Sequence, residues 1–538
     1  MRRPQTQSET GLLSLATSGR CLRMHHPQGS RACGQGAMTR SGAVRGVVHA
    51  MRNRSRSFLW TFLLGSPLLL SGGETIVVSP RAGDGGNGSA EAPYASLERA
   101  LKRAKPGDTV ALRDGVYALT ARIRATLNGT AQAPIVIRAW PKETPILDGA
   151  AIKMNLYDTL FELDKSSHVV VDGLEVRNSA GRGINLHECA DVSVRNCSIR
   201  DVQCRALGGS GERLLFEGNK VRNACLVNAD NAFLKAGKNG GWPATVQTSK
   251  RDDHRPSTDV VFRNNDVRES WGEGIDAWFL DGGVIEGNTV VDCYSVLIYV
   301  DTARNLKIDR NVCVAASERF FRSTSQAPAT GILFATEHYD REVPALADEN
   351  IVVSNNLILN AGRGIGFWCD KANTRPYNTY RNIQVFHNVV KNALWEPFGF
   401  EAVPAGNPAP TGCVARNNIF FKGSRGGSIH LGNREGWTFS HNCWPDGVPD
   451  LAKDPASFKA DPQFVKPDDA SAEGFKLGPA SPCLGKALPA AEVPADFWGA
   501  PRRKTQPCIG LHEWYPPGAR PETEKPDPPR KGRLPFVP

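Results

Sequence analysis

The sequence predicts an all-β chain, a right-handed parallel β-helix solenoid with a short N-terminal capping helix. Two observations predict it. The first is a six-residue unit, apolar-x-x-Asn-x-apolar, that starts at Val171, Val194, Phe216, Phe262, Ile285, Ile308, Val353, Val385, Val414 and Phe439. The steps between starts are 23, 22, 46, 23, 23, 45, 32, 29 and 25 residues, and a recurring period in the low twenties marks a solenoid. The two steps near 46 read either as two coils or as one coil with a long insertion. The second observation is residue type. The units are rich in Val, Ile and Phe with near period-two alternation, so they are strands, and no unit carries a helical stretch of the leucine-rich kind. Their fourth position is Asn219, Asn265, Asn288, Asn311, Asn356, Asn388, Asn417 and Asn442. Stacked coils would place these amides above one another, each bonding its neighbour and the turning backbone.

The elements follow in order. Residues 1–50 read as a disordered extension or a start-site error, because Met51 opens a secretory signal over 51–73: Arg52, Arg54 and Arg56, an apolar run from Phe58 to Leu70, then Ser71-Gly72-Gly73. That run is too short to span a bilayer comfortably, so no stable membrane anchor is expected and the chain reads as secreted, extracellular or periplasmic. Residues 74–150 form an N-terminal cap and the first coils: a strand at Thr75–Val78, an amphipathic helix over Ser96–Lys105 with Leu97, Ala100, Leu101 and Ala104 on one face, then Pro106-Gly107-Asp108 as its stop. The helix would cover the open end of the first coil. Residues 151–445 hold the repeats, with second strands at Gly274–Trp278, Val296–Val300 and Gly331–Phe334 among others, and long loops at 226–258, 314–349 and 369–381. Residues 446–515 close the solenoid, and 516–538, with eight Pro, form a disordered tail.

The repeat and its ladder resemble the pectin-lyase-like β-helix superfamily over roughly residues 75–515. The segment from Val78-Ser79-Pro80 through Gly115-Val116-Tyr117 is similar to the entry module of secreted β-helix polysaccharide lyases, and Asp461 to Trp514 resembles their closing segment.

Net charge is +10, but residues 1–73 hold ten Arg and one Glu, nine of those ten charges. The body of the chain is close to neutral, which removes the case for a nucleic-acid partner. Of thirteen Cys, two lie in the leader; Cys197, Cys313 and Cys443 read as buried fillers, Cys483 and Cys508 are a candidate disulfide, and no Cys/His spacing suggests zinc.

Chemistry is expected where regularity breaks. Asn228-Ala229-Asp230-Asn231-Ala232-Phe233 precedes Gly272-Glu273-Gly274-Ile275-Asp276, and Asp230, Glu273 and Asp276 would form an all-oxygen set of the type calcium takes. Both motifs are similar to those of polysaccharide lyase family 9, Gly272 standing where that family has Asp. The resemblance implies bound Ca2+ that bridges to a substrate uronate and acidifies its C5 proton for β-elimination. The family's Asn-Gly-Phe-Lys-like motif is missing here, so Lys235, Arg322 and Arg363 stand as candidate bases. Trp278, Tyr299, Asp301 and Glu337 are the candidate substrate-binding residues, an aromatic platform beside carboxylates. The expected function is a calcium-assisted lyase acting on an acidic polysaccharide as a monomer. Its alternatives are a glycoside hydrolase with paired acids drawn from Asp276, Asp301, Glu337 and Asp370, and a non-catalytic carbohydrate-binding or cell-surface protein.

Overall fold

The computed structural model describes residues 72–322, 326–337, 346–369, 378–468 and 471–519. The leader over 1–71, the tail from 520 onward, and His338, Tyr339, Asp340, Asp370 and Lys371 lie outside the described residues. The described residues form a parallel β-helix in which each coil contributes a strand to each of three faces. Two faces belong to one continuous sheet of 23 strands, joined through the long strand Arg182–Arg195, and the third is a sheet of 11. Every pairing between successive coils is parallel, as in Val194↔Phe216, Phe216↔Phe262 and Phe262↔Ile285.

The direct pairing of Phe216 with Phe262, and of Ile308 with Val353, answers the question of the long steps: each is one coil carrying an insertion. The first insertion carries the 3-10 segment Leu226–Asn231 and the short helix Ala232–Lys235, after which the strand Val246–Thr248 takes its coil's place on the first face.

The asparagine ladder forms as expected, with one correction. Asn219, Asn265, Asn288, Asn311, Asn356 and Asn388 are buried and each passes its side-chain oxygen to the backbone N–H of the rung before. The next rung is Asn418, whose Oδ1 accepts from the Asn388 N–H at 2.9 Å, and then Asn442. Asn417 instead takes the left-handed corner (φ 62°) and its side chain bonds His387 and the Leu488 carbonyl. The unit therefore starts at Ala415, which pairs with Phe439. The residue before every rung shares this corner, for example Asn264 at φ 55° and Gly287 at φ 66°. Asn and Gly adopt φ > 0 with little cost, which explains the Asn-Asn and Gly-Asn pairs in the repeat.

At the N-terminal end Ser96 caps the helix Leu97–Arg103 by accepting from the Arg99 N–H, and Leu97, Ala100 and Leu101 are buried against the first coils. On the second face the outward column Arg138–Asp172–Arg195–Glu217–Arg263–Glu286 alternates in sign, with Arg263 Nε 2.9 Å from Glu217 and its Nη1 3.6 Å from Glu286. These charges neutralise each other along the stack. The third face is covered late in the chain. Leu357–Leu359 is buried at all three positions because residues 472–511 return over it, placing Phe475, Leu477, Ile509 and Leu511 against it. Cys483 and Cys508 are both free. The Cys483 thiol pairs with that of Cys443, and the Cys508 sulfur accepts from Arg503 Nη2 at 3.2 Å, so the two face different neighbours. Among the described residues no helix is long and apolar enough to cross a membrane.

Candidate active-site groove

The first face carries the groove. Its inward positions form a wholly apolar column, Ile184–Leu207–Val246–Ile275–Ile298–Ile332–Ile365–Phe398. One residue further along each strand, the outward column reads Arg124–Glu162–Asn185–Gly208–Gln247–Asp276–Tyr299–Leu333–Gly366–Gly399–His430. Side chains alternate across a strand, and coils stack roughly 4.8 Å apart, so this column runs along the outside of the solenoid, polar from Arg124 to Tyr299 except at Gly208 and then small or apolar over Leu333, Gly366 and Gly399 before His430. Over it lies a groove of about 1560 Å3, walled on one side by residues 239–244 of the first insertion.

At its centre the strands Ile275–Trp278 and Val296–Asp301 pair with Asp276 opposite Tyr299 and Trp278 opposite Asp301. The four side chains make a two-by-two patch facing the groove. Glu273 precedes the first strand, and Glu337 follows the next strand in the stack, Thr330–Ala335. Asp276 Oδ2 accepts from Gln247 Nε2 at 2.7 Å, while its buried Oδ1 has no partner. Asp301 Oδ1 accepts from the Thr302 hydroxyl at 2.9 Å and from the Glu337 N–H at 3.1 Å. Glu273 accepts from the Trp242 indole N–H. Trp242 meets Tyr294 edge-on at 5.0 Å between centroids and carries the Arg322 guanidinium 5.0 Å above its ring.

Crowding these acids out of water holds their protons. Burial, then the charge of Glu337, pushes Asp276 up to about 8, against the Gln247 hydrogen bond and the Arg205 charge. Burial, then Asp276, raises Glu273 well above the usual carboxylate range, and burial, then Glu337 and Asp276, does the same to Asp301. Carboxyls held neutral beside others that share the same field are the arrangement from which proton donors and acceptors are made.

Of the ten candidate residues, eight line the groove: Glu273, Asp276, Trp278, Tyr299, Asp301, Arg322, Glu337 and Arg363. Two do not. Asp230 is exposed in a left-handed conformation (φ 53°), at a kink of the 3-10 segment, and Lys235 is exposed at the end of the helix that follows. Neither belongs to the groove wall. The expected grouping of Asp230 with Glu273 and Asp276 does not appear among the described residues: Asp230 is exposed, whereas Glu273 and Asp276 are buried in the groove wall. Among the described residues no cluster of three His, Cys, Asp or Glu side chains is placed to hold an ion. The oxygen donors that remain, Glu273 and Asp276, do not make the expected three-acid cage.

The two arginines offered as bases are engaged. Arg322 Nη2 donates to Asn239 Oδ1 at 2.6 Å. Arg363 Nε donates to Glu396 Oε1 at 2.5 Å, with Glu401 Oε1 at 3.7 Å from its Nη1. This pair lies over Gly366 and Gly399, where a Cβ would come within 2.5 Å of Arg363 Cδ and 2.3 Å of Glu396 Oε1 respectively. Gly399→Ala is expected to displace the Arg363–Glu396 pair and cost about 1–3 kcal/mol, read from the midpoint of chemical denaturation.

Sequence reasoning missed Gln247 and Arg205, and Trp368 and Glu396 toward the far end. Gln247 sits 39 residues after its register partner Gly208 and 29 before Asp276, on the strand that follows the insertion, so the repeat spacing does not reach it. Arg205 precedes its strand and carries no repeat signal.

Comparison with known proteins agrees with the fold. A family model described as the Pel9A-like right-handed β-helix region matches residues 76–296, and the general right-handed β-helix model matches 244–393. Pectate lyase PEL9 of Emericella nidulans is 34% identical over 113 residues, 21% of this chain and 27% of that protein. The uncharacterized protein YwoF of Bacillus subtilis is 24% identical over 204 residues, 36% of this chain and 43% of its own. The chain thus spans less than half the length of these curated relatives. Among solved structures, the XylC–xylose complex superposes with a TM-score of 0.51 at 10% identity, covering 82% of this chain and 98% of that one, a likeness of fold.

Proposed function

We propose, for a right-handed parallel β-helix protein of the pectin-lyase-like superfamily that partly resembles polysaccharide lyase family 9, cleavage of a polysaccharide in this groove through the buried carboxylates themselves. The observation that carries the reading is the in-register patch of Asp276, Tyr299, Trp278 and Asp301 beside Glu273 and Glu337. Trp278 and Tyr299 supply flat apolar surface for a sugar ring. Asp276, neutral below a pH of about 8, donates its proton to the leaving glycosidic oxygen. The proton moves from Asp276 to that oxygen as the C–O bond breaks, and a neighbouring carboxylate takes the proton of the attacking water. Glu337 is the acid whose charge acts on Asp276, Asp301 and Glu273 alike, which suits it to that second role.

A second reading, β-elimination on a uronate polymer, is favoured by a specific observation: the Pel9A-like match over 76–296 includes Glu273 and Asp276. Product chemistry separates the two. Purified protein is incubated with polygalacturonate, alginate and xylan, with and without a calcium chelator. New reducing ends without unsaturated-uronate absorbance, insensitive to chelator, are expected. Chelator-sensitive absorbance would replace hydrolysis with elimination, and binding without either product would leave a carbohydrate-binding protein.

A further inference from the structure

The groove holds two arginines that its acid cluster does not use. Arg205 is 4% exposed and lines the groove. Its Nη1 donates to Gln247 Oε1 at 3.1 Å and to Ser249 Oγ at 2.7 Å, and its Nη2 donates to Asn185 Oδ1 at 2.7 Å. All three acceptors are neutral. The buried Nε has no partner, and among the described residues no carboxylate lies within ion-pair distance of this guanidinium. Burying a charge without a counter-charge is costly, and this chain avoids it elsewhere: Arg502, equally buried, has Glu513 Oε2 3.6 Å from its Nη1. Gly208, between Asn185 and Gln247 in the outward column, has no side chain, and Arg205 joins those two residues across the vacant place.

Arg182 lines the same stretch of groove. It too has no carboxylate partner among the described residues, and its buried Nε is unpartnered. It lies over the ring of Tyr157, 5.4 Å from the centroid, and Tyr157 is 64% exposed. Its charge bears on that of Arg205 and opposes it, so two like charges face one open space beside an exposed aromatic ring. Two acids reach Arg205 through an amide: Gln247 accepts from the arginine and donates to Asp276, and Asn185 accepts from it and donates to Glu162 at 3.4 Å.

We propose that Arg205 and Arg182 form an anion subsite, with Tyr157 as its platform, that takes the carboxylate or sulfate group of an acidic sugar unit further along the same chain as the one being cut. A guanidinium presents paired N–H donors matched to a planar or tetrahedral oxyanion. By strand position Arg205 lies two coils and Arg182 three coils from Asp276, roughly 10–15 Å, so the groove grips charge at one stretch and moves protons at another. This inference rests on the reading that the groove binds a polysaccharide.

Its test is binding without turnover. Calorimetric titrations on the full chain carrying Asp276→Asn use three probes: trigalacturonate, a sulfated galactan tetrasaccharide and neutral xylotetraose. At least one charged probe is expected to bind tenfold or more tighter than the neutral one, with a preference that shrinks as salt rises; which charged probe wins distinguishes carboxylate from sulfate. Adding Arg182→Gln is expected to weaken the charged probe about tenfold and leave xylotetraose unchanged, and Arg205→Gln, checked by thermal melting, to do the same. Equal affinities for charged and neutral probes, or a charged probe indifferent to Arg182→Gln, overturn the subsite. Charge-selective binding in a protein whose unmutated form cuts nothing keeps the subsite and removes the cleavage reading. Cleavage of xylan without charge preference does the reverse.

Discussion

Asp276→Asn is expected to lower kcat on the cleaved polysaccharide by about 10²–10⁴-fold, the usual worth of a positioned proton donor. The substitution keeps the shape of the side chain and the neutral form in which Asp276 is held below a pH of about 8, but it removes the transferable proton. KM should change little, because Trp278 and Tyr299 remain. In the unmutated protein kcat is expected to fall as pH rises through about 8, as the donor loses its proton. Stability gives an independent control. Folding raises the pKa of Asp276 above its ordinary 3.8, so the native state binds this proton more tightly than the unfolded chain does. The penalty is absent below the ordinary carboxylate range, grows as pH rises between about 4 and about 8, and is then complete. The Asn variant escapes it and should melt at or above the unmutated protein at pH 9. Full activity in the variant removes Asp276 from the chemistry; lost activity with a lowered melting temperature would point to misfolding instead.

Asn288→Ala is expected to cost about 3–5 kcal/mol, among the larger effects of a single substitution. Asn288 is fully buried. Its Oδ1 accepts from the Asn265 N–H and Asn265 Nδ2, both at 2.9 Å, and its Nδ2 donates to the Phe262 carbonyl at 2.9 Å and to Asn311 Oδ1 at 3.0 Å. Truncation removes the side-chain partners of the Asn265 N–H and the Phe262 carbonyl on the coil before, and one of the donors to Asn311 Oδ1 on the coil after. The outer asparagines provide the contrast. Asn305 is exposed, donates to Asp281 Oδ1 and accepts from Asn350, so Asn305→Gly, which keeps the left-handed corner (φ 58°), should cost less than about 1 kcal/mol. Denaturant midpoints for the two variants measure the difference. Equal costs would mean that burial of the ladder does not matter.

The architecture was legible because it is periodic. A ladder position needs an amide that bonds in both directions, and the residue before it needs a left-handed backbone, so residue type repeats wherever geometry repeats. The one register error, Asn417 for Asn418, arose where both needs are met by Asn and pattern alone cannot tell corner from rung. The groove was legible to the extent that it sits on regular strands: Asp276, Trp278, Tyr299 and Asp301 were found because each belongs to a recognisable strand. Asp230 lies outside the groove because similarity of motif does not report which side chains of an irregular segment end up exposed. Arg205 and Gln247 escaped because their partners are reached across insertions and corners, where sequence separation and spatial separation part company. The candidate Cys483–Cys508 bridge is not made: both cysteines serve a segment that folds back over finished coils, and its packing is set by those coils rather than by its own spacing.

The direct stacking of Phe216 on Phe262 and of Ile308 on Val353 means that the solenoid does not count the residues inserted between them. Each buried asparagine resets the chain to a common origin, whatever path it has just taken. Loop length and composition at the groove rim are thereby uncoupled from the scaffold, and the two can vary on separate schedules. Grafting a different wall in place of residues 239–244 should change what enters the groove while the rungs on either side, Asn219 and Asn265, keep their bond.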